Sequence, residues 1–286
     1  MASKSEIITQ AVYKSCITEI KAFKPGNVSI HSEGHGMEAD DFIRSAELIS
    51  PVMGNPDLTV GERILQSVQL TMSQVGCNTN LGIILLVAPL AQAAFISKED
   101  DYLQQTIHKV LDNLTIEDAT LAFEAIELAN PGGLGDAPEH DVKEPATITL
   151  LAAMKAAQYR DRIAWQYANG YQDIFQTGTN TLRMQVLRWK DVENRLEWAT
   201  VACYLKFMTM YPDSHVIRKF DLETAENIRK RTESVETMFT SCINPSVANS
   251  ELRRYDGELK RVGVNPGTSA DLTVASLVAL SLEALL

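Results

Sequence analysis

Apolar residues recur along this chain at intervals of three and four. Ile7, Ile8, Ala11, Val12, Cys16, Ile17 and Ile20 fall on one face of a 3.6-residue helix. Pro25-Gly26 must end that helix, because proline disfavours helical geometry in the residue before it and glycine starts a turn. The same period predicts helices over 40–50, 60–75 and 81–94. A further helix is expected to open at Ser97 with Asp100 three residues on, and another at Thr115 with Asp118. In each pair a hydroxyl and a carboxylate three residues apart can satisfy the free amides of a first turn. The breakers Asn130-Pro131-Gly132-Gly133 end the second of these. Later helices are predicted over 145–168, 181–189, 192–211, 222–241 and 268–286.

No series of alternating β-branched segments bounded by turns interrupts this pattern, so the expected fold class is all-α. No repeat period, low-complexity tract or Gly/Ser linker divides the chain. The expectation is a single compact multi-helix domain over 1–286, with 170–180 the one stretch where a boundary would fall.

Composition narrows the function classes. Lys+Arg 26 against Asp+Glu 37 leaves a net charge of -11, which argues against nucleic acid as a partner, since phosphate-backbone binding needs a basic face. The strongly apolar run 81–96 contains Pro89 and Gln92 and falls short of the roughly 20 residues of a bilayer span, so it reads as a core helix and no membrane partner is expected. Cys16, Cys77, Cys203 and Cys242 are widely spaced, without a C-x-x-C pair. They read as small buried hydrophobes in a reducing compartment, and a cytoplasmic location is expected. The apolar face of 192–211 suits a core or a homodimer interface equally.

Polar chemistry gathers where helices break. One break is Lys24-Pro25-Gly26-Asn27-Val28-Ser29 with His31, His35 and Asp40-Asp41 beyond it; a second is Asn78-Thr79-Asn80-Leu81-Gly82. A third runs from Gly132 to Asp141, and the last comprises Asp213-Ser214-His215 with Arg218 and Asn265-Pro266-Gly267-Thr268-Ser269-Ala270-Asp271. Helix starts preceded by Gly, Asn, Ser or Thr present amides and a positive dipole end to phosphate. Carboxylates from separate loops suit Mg²⁺, which takes one or two of them while keeping waters and substrate phosphates. Asp40, Asp41, Asp136, Glu139, Asp141 and Asp271 form the available set, so a metal-polyphosphate site built at helix ends is expected.

Plainer readings stand beside these. Asn78-Thr79-Asn80 also fits an N-cap, although two asparagines exceed what a cap needs. Asp40 and Asp41 fit first-turn acids favouring the helix dipole. Without a preceding strand, Gly132 to Gly135 is a turn and no dinucleotide fingerprint. His31 and His35 sit in a Gly-rich stretch unsuited to a zinc pair. Asp213, Ser214 and His215 are too close in sequence to form a catalytic triad and fit a Pro-Asp turn. No P-loop, kinase signature or nucleophile elbow is present.

Taken together, Lys24-Pro25-Gly26-Asn27-Val28-Ser29, Asp41-Phe42 with Ser45-Ala46, Asn78-Thr79-Asn80-Leu81-Gly82 leading to Ala88-Pro89-Leu90, and Asn265-Pro266-Gly267-Thr268-Ser269-Ala270-Asp271-Leu272 resemble the triphosphoribosyl-dephospho-CoA synthase family. The best-known members carry His-Lys where this chain has Asn80-Leu81, and an acidic Asp-Met-Asp where it has Gly36-Met37-Glu38. The resemblance is to the Lys-Pro-Gly-Asn and Asn-Thr-Asn-Leu-Gly branch, often found with tetrahydromethanopterin-type one-carbon metabolism.

The resemblance implies an all-α transferase that joins the ribose C1 of ATP to a hydroxyl of dephospho-CoA, or of another cofactor precursor, with Mg²⁺ on the triphosphate and adenine expelled. It implies nucleotide binding by Lys24, Gly26, Asn27, Ser29, Asn78, Thr79, Asn80, Gly82 and Arg218, and metal or cation-facing roles for Asp40, Asp41, Asp136 and Asp271. It further implies catalytic roles for Glu139 or Asp141 as the base, with His140 as a donor. The alternatives are a related ribosyl or phosphoribosyl transfer in one-carbon cofactor synthesis, a Mg²⁺-dependent nucleotide hydrolase, and a non-catalytic helical partner protein.

Overall fold

Why helix follows helix along this chain is legible in several of their first turns. The structure, a computed structural model, describes residues 2–132 and 141–285. Its helices are α1 (Lys4–Lys21), α2 (Ala39–Met53), α3 (Val60–Gln74), α4 (Leu81–Ile96), α5 (Leu103–Asp112), α6 (Ile116–Ala129), α7 (Leu150–Ala157), α8 (Arg162–Ala168), α9 (Thr179–Arg188), α10 (Arg195–Met210), α11 (Ser214–Lys219), α12 (Leu222–Ser241), α13 (Asn249–Arg261) and α14 (Gly267–Leu285). Among the described residues there is no strand beyond two isolated bridges, Ser29 with Ser32 and Gly34 with Met37. The chain is all-α, as its pattern predicts. Reciprocal capping boxes open α1 (Ser3 and Glu6), α3 (Thr59 and Glu62) and α6 (Thr115 and Asp118), each satisfying two amides that would otherwise lack partners.

The Ser97–Asp100 opening does not form. Ser97 ends α4, its hydroxyl donating back to the Ala93 carbonyl inside the core, and α5 begins only at Leu103. The expected helix over 145–168 is two helices, because Asp161 turns away from the chain axis and starts α8 by accepting from the Ile163 and Ala164 amides. The stretch 170–180 is an interior π-helical turn, Asp173–Gly178, whose Ile174 and Phe175 lie in the core. Both α11 and α13 lack a predicted counterpart. In α13 the buried Leu252, Tyr255 and Leu259 do keep helical spacing, but charged residues fill the positions between.

Helices α4 and α14 form the centre, with α14 packed on α1, α4 and α10. By length and composition α14 could cross a membrane, yet 67% of its apolar window is buried within the molecule. Two apolar clusters flank α10, which gives Ala199, Cys203 and Phe207 to the larger and Val201, Tyr204 and Leu205 to the smaller. Pro89 inside α4 has no N–H to donate to the carbonyl of Leu85 four residues back. Tyr167 supplies the missing donor, its hydroxyl 2.6 Å from that oxygen, while Tyr171 donates to the Leu86 carbonyl at 3.1 Å. Arg63 is fully buried beneath the α2–α3 connection and donates to the carbonyls of Met53, Leu58 and Asn55 and to Gln92.

Candidate functional site

The breaks between helices converge on one cavity of about 450 Å³, within the size range of small-molecule sites. One wall is polar and comes from the start of α4, from α11 and from the start of α14. The rest of the lining is largely apolar and includes Phe123 and Ile126 of α6, Leu150 and Met154 of α7, and Ile163 of α8.

At the start of α4 the two asparagines do different work. Asn78 accepts from the Leu81 amide at 3.1 Å and so caps the helix. Thr79 shares a 2.6 Å hydrogen bond with Ser45 of α2. Asn80 makes no cap contact, and its buried amide nitrogen has no partner while its side chain lines the cavity. A buried donor without an acceptor costs about 1–3 kcal/mol, and a bound acceptor would recover that energy. One turn on, a Cβ at Gly82 would lie 2.0 Å from Oδ2 of Asp271, so only glycine lets α14 bring this carboxylate against α4.

Asp213 locks α11 to α14. One carboxylate oxygen accepts from the His215 and Val216 amides, and the other from the Ser269 amide and hydroxyl. The His215 amide also donates to Thr268 Oγ1. His215 and Arg218, three residues apart on α11, are thereby aimed at the cavity. Arg218 pairs with Asp161 Oδ2 at 2.5 Å, while its buried Nε lacks a partner. The Arg162 amide donates to Ser214 Oγ, and its guanidinium is stacked between Trp165 and Tyr211 and bonded to Asp173, fixing the α8 wall to α11.

Electrostatics set the lining groups apart. Burial, with Asp213 and Glu19 nearby, pushes the Asp271 carboxyl well above the usual carboxylate range. That carboxyl makes no hydrogen bond or ion pair with a described residue. Burial pushes His215 the other way, below the ordinary imidazole value, with Arg218, Lys219 and His35 adding to the effect and Asp213 opposing it. The arrangement offers donors for an anion, a carboxyl that favours its proton and an imidazole that favours losing one.

Eight of the residues singled out from sequence line this cavity: Asn27, Asn78, Thr79, Asn80, Gly82, Asp141, Arg218 and Asp271. Lys24, Gly26 and Ser29 do not. The Lys24 ammonium is fully buried, donating to the carbonyls of Val28 and Glu19 at 2.8 and 3.0 Å and pairing with Glu19 Oε1 at 3.3 Å. It therefore neutralises a carboxylate of the cavity floor and has no charge to spare for a phosphate. Gly26, at φ +81°, donates its amide to Asp256 and packs on Leu259. Ser29 is buried and accepts from the His31 amide.

The metal expectation changes too. Asp41 accepts from the Glu38 amide in the first turn of α2, Asp40 is exposed beside it, and neither lines the cavity. Among the described residues no group of three or more His, Cys, Asp or Glu could hold a metal. Asp136, Glu139 and His140 lie outside the described residues. Glu19 and Asp161 line the cavity without having been singled out, and His215 and Asn265, named only within the polar breaks and given no role, line it too. The signal for His215 was its spacing from Arg218 behind a helix-capping aspartate; for Asn265 it was the Asn-Pro-Gly break, where it accepts from Asn27 Nδ2 at 2.8 Å.

The family model for ATP:dephospho-CoA triphosphoribosyl transferase matches residues 5–286. This chain belongs to the ATP:dephospho-CoA triphosphoribosyl transferase family. It is accordingly an enzyme of the transferase class, in a family that uses ATP as a substrate. A crystal structure from Archaeoglobus fulgidus, described as a triphosphoribosyl-dephospho-CoA synthase, matches with a TM-score of 0.64 at 24% identity, covering 85% of this chain and 98% of that one. That likeness shows the same all-α fold. A comparison with curated proteins found no match.

Proposed function

We propose that this triphosphoribosyl transferase moves the triphosphoribosyl group of ATP to a hydroxyl of dephospho-CoA with release of adenine. The observation that carries this reading is the pair of unpartnered buried donors, Asn80 Nδ2 and Arg218 Nε, lining one cavity with the unpaired carboxyl of Asp271. Donors left unsatisfied by the protein suit the phosphate and ribose oxygens of a nucleotide. The start of α4 adds its dipole, and the apolar lining suits a planar base or an alkyl chain.

In this reaction the acceptor oxygen bonds to C1′ while the bond from C1′ to the purine breaks with its electrons leaving on adenine. Positive charge develops on the ribosyl carbon, as in glycoside transfer. Asp271 supplies a carboxyl facing that centre, and its partnership with Gly82 keeps it from turning aside. Mg²⁺ enters as the companion of the triphosphate. Support for this comes from the described lining, whose only cationic side chains beside the neutral-favouring His215 are Arg160 and Arg218, few for a naked polyanion. The chain acts as one domain, a reading favoured by α10 serving both apolar clusters.

The test is mass spectrometry of products from ATP, Mg²⁺ and a panel of acceptors including dephospho-CoA and pterin intermediates. Adenine released only together with a triphosphoribosylated dephospho-CoA is expected. Adenine released without any acceptor would make the protein a hydrolase, and a product on another precursor would reassign the acceptor.

A further inference from the structure

Transfer to a hydroxyl needs a group that takes the hydroxyl's proton, and among the described residues the lining narrows the choice. Glu19 is occupied by Lys24. Asp161 is spent on both oxygens, one capping α8 and the other paired with Arg218. Asp141 accepts from the Lys143 amide. Asp271 is unpaired but sits among Asp213, Glu19 and Asp161, whose charges oppose its ionisation. The imidazole of His215 lines the cavity with no hydrogen bond from its ring to a described residue.

Its place is set by main-chain bonds that do not involve the ring: the amide donates to Asp213 and Thr268. Gly267 keeps the ring's path open, since a Cβ there would stand 3.1 Å from Nδ1. Arg218, one turn on, would hold an anionic part of a substrate beside the ring. We propose that His215 is the general base of the transfer, accepting the proton of the attacking hydroxyl as its oxygen bonds to C1′. This role rests on the transfer reading given above. The bond from C1′ to adenine breaks in the same step, its electrons leave on the purine, and the proton ends on the imidazole.

The charged and titratable groups around the ring keep it in the neutral form from which a base can accept a proton. Arg218 and Lys219 on its own helix and His35 from the 22–38 connection disfavour the imidazolium, while Asp213 opposes them. Asp271 comes from α14 and Asp161 from the cap of α8. With burial added, the ring stays neutral to a lower pH than an ordinary imidazole at 6.5. Two carboxyl-and-imidazole environments pushed in opposite directions are the usual mark of an acid and a base in one site.

The experiment compares wild type, His215→Ala and His215→Asn by adenine release with ATP, Mg²⁺ and dephospho-CoA across pH 5–9, with thermal midpoints confirming that each variant is folded. Loss of the base is expected to lower kcat about 10²–10⁴-fold while KM for ATP changes little, to remove the acid limb of the pH profile, and to allow partial rescue of His215→Ala by added imidazole. Three results would overturn it: kcat kept within a few-fold, an acid limb unchanged in both variants, or a folded His215→Ala that loses activity but ignores imidazole, which would leave a structural role only. A wild-type chain that makes no transfer product overturns the functional reading itself, and this role with it. Transfer that survives in both variants overturns His215 alone.

Discussion

The close approach of Gly82 to Asp271 makes Gly82→Ala the sharpest probe of the site. The new methyl would lie 2.0 Å from Oδ2, 2.5 Å from Cγ and 2.8 Å from Cδ1 of Ile163. Since Asp271 is short and rises from a helix anchored by Asp213 and Ser269, its carboxyl must swing by about 1 Å or more to reach even the shortest Cβ contacts seen in proteins. A misplacement of that size in a catalytic group costs on the order of 10²-fold in rate. Stability should respond far less, because alanine gains about 1 kcal/mol over glycine inside a helix against about 1–3 kcal/mol of overpacking. The expected outcome is a kcat for adenine release with dephospho-CoA lowered on the order of 10²-fold, with a thermal midpoint within a few degrees of wild type. Adding Asp271→Ala should remove most of any stability loss, since the clash partner is gone. A Gly82→Ala enzyme with wild-type kcat would refute the idea that Asp271 must stand where it does.

Other outcomes follow from groups with known partners. Tyr167→Phe leaves the Leu85 carbonyl without the donor that Pro89 cannot provide, so it should cost about 1–3 kcal/mol and lower the midpoint by roughly 2–4 °C per kcal/mol in calorimetry; an unchanged midpoint would show that the carbonyl is satisfied otherwise. Asp271→Asn should raise the midpoint at pH 7–8. The raised folded-state value means that stability is fully present below the unfolded value of 3.8 and is lost as pH rises through the folded one; the variant's advantage must therefore vanish toward pH 4. Lys24→Ala strands Glu19 in the interior and is expected to destabilise by about 3–5 kcal/mol. ATP binding by the folded fraction, measured by calorimetry, should survive that change, and loss of binding alone would return Lys24 to the nucleotide.

What was legible in the sequence follows from where the deciding interactions are local. Helix α12 begins and ends as predicted because Asp221 caps it by accepting from the Thr224 amide, an interaction contained within four residues. The Thr115–Asp118 opening forms for the same reason. Ser97–Asp100 has the same spelling but fails, since α4 runs on to Ile96 and the Ser97 hydroxyl instead donates to the Ala93 carbonyl one turn back in that helix. For the site, Asn80 and Asp271 stood out as polar residues at helix starts, and both line the cavity. Lys24 misled because nothing in a Lys-Pro-Gly-Asn run tells whether the ammonium faces a ligand or the Glu19 and Val28 acceptors. His215 was passed over because neighbouring residues cannot form a triad, an argument that is sound for Asp213 and silent about what lies across the cavity.

Helix α10 has a consequence for how sequences in this family can drift. From Ala199 to Thr209 every side chain but that of Lys206 is buried, since one flank serves the larger cluster and the other the smaller. A surface helix can absorb random change on its wet side, whereas α10 has almost no such side to offer. Saturation mutagenesis scored by activity should therefore show an intolerant band along α10 as deep as that at Asn80 or His215, although no α10 residue lines the described cavity. Only scoring abundance and turnover separately would tell the helix that holds the enzyme together from the side chains that do its chemistry.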